Sequence, residues 1–137
     1  MDITLAVLAD YASISREGKL SVMGIFNGVA TNELPAKIGS AYLVISLELE
    51  AVEAGREHTI EIRCMNEDGA KVFDIEGRFT APAARPGALI TKDEIIRLEN
   101  ITFEQQGDYS IALFANRDLK RTLRFRVGVG EAGSPSG

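Results

Sequence analysis

Reactive chemistry in this chain would have to come from very few groups, because His58 is its only histidine and Cys64 its only cysteine. Paired-histidine metal sites, multi-thiolate zinc sites and an intrachain disulfide are therefore excluded. A Ser-His-Asp arrangement would depend on His58 alone. His58 stands next to Glu57 and three residues before Glu61, a pattern that could make a base or a ligand. With no Gly-x-Ser-x-Gly nucleophile motif, it reads as a surface histidine beside acids. Cys64 shares a phase with Ile60 and Ile62 and reads as a small buried hydrophobe rather than a reactive thiol. Asp10 and Tyr11 end the first apolar run and form the candidate ligand-binding pair. The competing reading is a structural hydrogen bond, since a half-buried carboxylate needs a partner. Asp68, Asp93, Asp108 and Asp118 occur at turn signals but share no calcium-loop spacing, so neither a metal nor a cofactor is expected.

Two further patterns concern charge and phosphate. Gly128-Val129-Gly130-Glu131-Ala132-Gly133 is a literal Gly-x-Gly-x-x-Gly after a strand-like run. A pyrophosphate site needs a helix behind those glycines, and only four residues follow them, so the pattern reads as part of a flexible tail. Arg117, Lys120, Arg121, Arg124 and Arg126 crowd the C-terminal region, whereas Glu48, Glu50, Glu53, Glu57 and Glu61 crowd the middle. The basic group is the candidate interaction face, to be used in cross-strand pairing or in complementary surfaces for assembly. Nucleic-acid binding is disfavoured, because the net charge is -5 and the basic residues lack interleaved aromatics for stacking.

The elements that must position these groups are short alternating runs bounded by Gly, Pro, Asn and Asp, the period of half-buried strands. Leu123, Phe125 and Val127 alternate with Arg124 and Arg126, and Tyr109, Ile111 and Leu113 precede them across Asn116-Arg117-Asp118, which predicts a hairpin. A second hairpin runs from Ile60, Ile62 and Cys64 through Asn66-Glu67-Asp68-Gly69 to Phe73, Ile75 and Phe79, with Gly77 a candidate bulge. Leu43 to Leu49 predicts another strand. Two more open the chain, at Ile3 to Ala12 and Leu20 to Val29, joined by Ser15-Arg16-Glu17-Gly18. Residues 91–99 are ambiguous: Thr91 and Glu94 have capping-box spacing, but a strand with a bulge near Glu99 and Asn100 is the favoured reading. Asn32 to Ser40 and Ala81 to Ala88 read as loops.

About eight strands with almost no helix signal predict an all-β fold, a two-sheet antiparallel sandwich of Ig-like or related type without a disulfide. Gly107, Tyr109 and Ile111 have the spacing of a tyrosine corner, with Ile111 where an immunoglobulin cysteine would stand. The 137 residues make one domain, 1–129, followed by the tail at 130–137.

The blocks Leu8-Ala9-Asp10-Tyr11-Ala12 and Glu17-Gly18-Lys19-Leu20-Ser21-Val22-Met23-Gly24-Ile25-Phe26-Asn27 resemble a family of small bacterial proteins catalogued only as a domain of unknown function. Tyr42-Leu43-Val44, Glu57 to Ile62, Asp68-Gly69, Gly77-Arg78-Phe79 and Gly107-Asp108-Tyr109-Ser110 extend the likeness over Ile3 to Val129. The resemblance implies a single all-β domain and carries no activity, substrate or catalytic residue.

The opening segment has no basic region ahead of its apolar run, unlike a signal peptide, and no run approaches the ~18 apolar residues of a membrane helix. A cytoplasmic location follows as the expectation, with no membrane partner. The functional expectation is a non-enzymatic protein-binding or assembly module, self-association included. The alternatives are a small-ligand-binding domain or enzyme whose site forms from the loops at 32–40 and 81–88 with Asp10 and Tyr11, and a phage or secretion-apparatus structural subunit, which rests on fold analogy alone.

Overall fold

In the computed structural model, which describes residues 1–130, the alternating runs become nine strands. They are β1 (Asp2–Ile14), β2 (Leu20–Phe26), β3 (Gly28–Thr31), β4 (Ala36–Glu50), β5 (Glu57–Asn66), β6 (Lys71–Thr80), β7 (Leu89–Phe103), β8 (Gly107–Ala115) and β9 (Asp118–Val129). They form two sheets, in the orders β2-β1-β4-β7 and β3-β9-β8-β5-β6. No helix among the described residues is long and apolar enough to cross a membrane. The tail reading at 130–137 lies outside the described residues, Gly130 excepted.

The core lies between the inner faces. Leu43, Ile45, Leu47 and Leu49 of β4, Ile62 and Cys64 of β5, Ile111 and Leu113 of β8 and Val127 of β9 are fully buried at period two, as the pleat requires. Each large aliphatic side chain so placed contributes roughly 1.5–3 kcal/mol of transfer free energy. Phe103, Tyr109 and Phe125 close one end, with ring centroids 4.9–5.7 Å apart. The Tyr109 hydroxyl donates to the Gln105 carbonyl, the contact that the tyrosine-corner spacing predicts.

Several expectations need correction. The run Leu20–Val29 is two strands, not one: the chain crosses between sheets at Asn27, whose carbonyl accepts from Arg126 N–H at 3.0 Å. Because β3 continues past the crossing without reversing, it lies parallel to β9, so the sandwich is not wholly antiparallel. The loop expected at 32–40 is shorter, since Ala36–Ser40 already belong to β4. Gly77 sits opposite Ile60 in an unbroken ladder, and the irregularity of that hairpin falls between Cys64 and Met65 instead.

Residues 91–99 are strand throughout. β7 pairs with β4 along nearly its whole length, and that ladder outweighs the local capping-box pattern. Asn100 adopts φ 57° while the register stays intact, so the change of facing phase at 99–101 comes from a left-handed residue rather than an inserted one. A capping box does form elsewhere, between Glu50 and Glu53 around the short 3₁₀ turn Ala51–Glu53.

Candidate functional site

The outer face of the β2-β1-β4-β7 sheet is apolar where a solvent-facing sheet is ordinarily polar. Ladder pairs place Ile25 beside Ala9 and Met23 beside Tyr11, Ala9 beside Tyr42 and Val7 beside Val44, and Val44 beside Ile95. All of these share one face. Tyr11 is 51% exposed, Met23 65% and Ile25 63%, whereas Ala9 and Val44 are fully buried among their larger neighbours. Tyr11 and Tyr42 meet edge to face at 5.8 Å. Three strand spacings by about six residues outline roughly 300 Å², within the range of the largest apolar patch on an ordinary monomer, which is often functional. The margin is mainly acidic, with Asp2, Glu48, Asp93 and Glu99. Asp93 accepts from Ser46 Oγ at 2.6 Å, and Arg97 is held by Glu99 at 2.7 Å.

Asp10 and Tyr11 are adjacent in sequence but point to opposite faces of β1. Tyr11 belongs to the apolar face, whereas the Asp10 carboxylate lies over Gly24 of β2. The structure does not bring them together with the two loops, either. Residues 32–35 lie at the end where Ala36 pairs with Phe103, and 81–88 at the end where Glu50 pairs with Leu89. The intervening ladder is roughly 40–45 Å long.

His58 is buried rather than on the surface, which corrects the sequence reading. Its Nε2–H donates to the Glu53 carbonyl at 2.9 Å, and its Nδ1 accepts from the Asn116 amide at 2.9 Å. The amide orientation is set because Asn116 Oδ1 accepts from Thr59 N–H at 2.9 Å. Both ring nitrogens are thus committed to joining the β8–β9 turn to the 3₁₀ turn. Cys64 is fully buried, and desolvation pushes its thiol up to about 12. It fills core space, and its thiolate form is suppressed.

The five basic residues divide among four surroundings. Arg124 and Arg126 share the outer face of the second sheet, where Arg126 donates to Asp108 at 3.0 Å. They flank an open depression with Asn66, Ser110 and Thr122. Arg121, opposite Leu113 and in phase with Leu123, faces inward and donates to the Ile3 carbonyl at 3.4 Å. Lys120 borders a depression with Asp2, Glu48, Glu50 and Glu53 at the end of the sandwich. Arg117, at the hairpin turn, approaches the buried Glu61 at 3.7 Å, and Glu61 is also met by Arg63 at 3.1 Å. Arg63 in turn lies 5.0 Å over the Phe114 ring. The acidic middle and the basic hairpin therefore meet partly as pairs within one sheet.

The residues that the sequence reading missed are Leu5, Val7, Met23, Ile25, Tyr42 and Ile95. For Leu5 and Val7 the signal was the unbroken apolar run Leu5–Ala9, which is the pattern of a strand covered on both faces.

No curated protein matches the chain. Among solved structures, Pseudomonas fluorescens alkylpurine DNA glycosylase AlkC, bound to DNA containing an abasic site analog, is similar at 14% identity with a TM-score of 0.42. That match covers 89% of this chain and 30% of the glycosylase chain, so this chain spans less than a third of its length. The model of a family of unknown function, DUF6941, matches residues 4–128, and the chain belongs to that family.

Proposed function

We propose that the protein is a non-enzymatic binding module whose contact surface is the outer face of the β2-β1-β4-β7 sheet. The observation that carries this reading is the exposure of Tyr11, Met23 and Ile25 on a face that also holds Val7, Tyr42 and Ile95. Leaving such a patch in water forgoes roughly 25 cal/mol per Å² of transfer free energy, and a docked partner recovers it. The acidic margin favours a protein with an apolar centre and basic surroundings. The groups with chemical potential support the same view, since His58 and Cys64 are tied into the scaffold.

Strand β3 running beside β9, together with the tyrosine corner, supports an Ig-like kinship for the sandwich. A bacterial cytoplasmic setting belongs to this reading as well, supported by the family resemblance and by the free thiol.

The test is retention of host proteins on immobilised wild type and on Met23→Lys/Ile25→Lys, with Arg124→Ala as a control on the other sheet. A partner held by wild type and the control, and released by the double variant and by salt, is expected. Retention that ignores the double variant overturns the reading.

A further inference from the structure

Among the described residues, β7 pairs with β4 alone, which leaves one full side of a 15-residue strand without ladder partners. Unpaired edges of this length template pairing with another strand. The charges along β7 restrict which strand that is. We infer that β7 pairs antiparallel with β7 of a second copy of this chain, about a two-fold axis through Ile95.

A two-fold perpendicular to the sheet keeps inner faces together, so each residue must meet one of its own phase. Centred on Ile95, the pairs over residues 91–99 are Thr91 with Glu99, Lys92 with Leu98, Asp93 with Arg97, and Glu94 with Ile96, each occurring twice, around Ile95 against itself. Both Asp93–Arg97 contacts join opposite charges on the outer face, the arrangement that stabilises a cross-strand pair. The neighbouring registers all fail. Centring on Glu94 sets Glu94 against itself, centring on Asp93 sets Asp93 against itself, centring on Ile96 sets Asp93 against Glu99, and centring on Arg97 sets Arg97 against itself. Like charges directly opposite are destabilising. The nine-residue match stops short of Asn100, where the backbone turns left-handed at φ 57° within β7.

Within each copy Arg97 already holds Glu99 at 2.7 Å, and Asp93 holds the Ser46 hydroxyl at 2.6 Å. The pairing would therefore extend an existing hydrogen-bonded row across the axis. Two four-stranded sheets would become one of eight strands. This inference stands on the β7 edge and does not require the outer face to bind anything else.

Light scattering and sedimentation on the full chain test it at concentrations of about 100 µM, where even a modest interface associates. Wild type is expected to dimerise, and Asp93→Arg or Arg97→Asp alone to weaken the dimer by at least about tenfold. The double swap Asp93→Arg/Arg97→Asp restores it. Mixing the two single variants gives a heterodimer, because each supplies the charge the other lacks. Ile95→Cys oxidises to a linked dimer, since facing Cα atoms in an antiparallel pair lie ~4.5–5.5 Å apart, and the buried Cys64 does not interfere. A wild-type monomer at that concentration, or a dimer indifferent to the single swaps, overturns the inference.

Discussion

The carboxylate of Asp10 occupies the space in which any side chain at Gly24 would begin. A Cβ built on Gly24 would stand 2.5 Å from Asp10 Oδ2, and Gly24 itself has φ 70°. The approach lies between β1 and β2, where Ala9 and Tyr11 flank Asp10 and pair with Ile25 and Met23 on either side of Gly24. Gly24→Ala combines a left-handed backbone with a steric conflict and is expected to cost about 2 kcal/mol or more. In an Asp10→Ala background the conflict disappears, and the cost falls to about 1 kcal/mol. A urea double-mutant cycle measures this coupling, and additive effects would show that Asp10 does not constrain the glycine.

Gly107 marks a second such approach, with a built Cβ 2.6 Å from Glu67 Oε1 and φ 140°. It leads into Tyr109, whose ring packs on Phe103 and Phe125 and whose hydroxyl caps the Gln105 carbonyl. Tyr109→Phe keeps the ring and loses the hydrogen bond, so a loss of about 1 kcal/mol is expected in equilibrium unfolding. An unchanged midpoint and slope would remove the corner from the list of stabilising contacts.

Much of this was legible in the residues because period two is a strong signal. Leu123, Phe125 and Val127 declare an inner face that the structure confirms. The same rule, applied strictly, would also have placed His58 correctly. His58 is in phase with Ile60, Ile62 and Cys64, while Glu57 and Glu61 point the other way; adjacency in sequence was mistaken for adjacency in space. Asp10 and Tyr11 part company for the same reason. Arg121 follows the same rule: it is in phase with Leu123, Phe125 and Val127, so alternation alone takes it off the row that holds Arg124, and Lys120 and Leu119 lie past the ladder irregularity between Leu113 and Phe114. The crossing at Asn27 was not legible at all. Both flanks are strand-like, and only the position of the second sheet decides where the chain leaves the first. Register in the candidate site depends on such tertiary facts, whereas the apolar character of its β1 part was visible in Leu5–Ala9.

The bond between Asn116 and His58 yields a prediction of its own. Asn116 has φ 49°, so Asn116→Gly preserves the turn while deleting the amide that serves both His58 Nδ1 and Thr59 N–H. Leaving a buried ring nitrogen without its partner is expected to cost about 1–3 kcal/mol. The single histidine makes the spectroscopic check direct. Nitrogen shifts of the imidazole should report a pure Nε2–H form in the wild type and a changed Nδ1 environment in the variant. Identical shifts in the two proteins would mean that the amide does not hold the ring.

Cys64 gives the alkaline behaviour a sign. Desolvation raises its thiol from 9.0 to about 12 in the folded chain, so between those values the unfolded state has released a proton that the native state retains. Stability contributed by the neutral thiol is full below about pH 9 and declines as pH rises towards 12, at about 1.4 kcal/mol per unit where the difference in bound protons is complete. Burial also shifts the Tyr109 phenol upward, so the tyrosine adds a decline of the same sign at higher pH. Cys64→Ala separates the two contributions: it should lower stability at neutral pH by the loss of packing and then flatten the alkaline slope. Labelling supplies an independent reading. A disulfide reagent at pH 8 should modify the native thiol only as fast as the domain opens, and the unfolded chain at once. Rapid labelling of the folded protein, or an alkaline slope that Cys64→Ala leaves unchanged, would contradict a thiol sealed between the sheets.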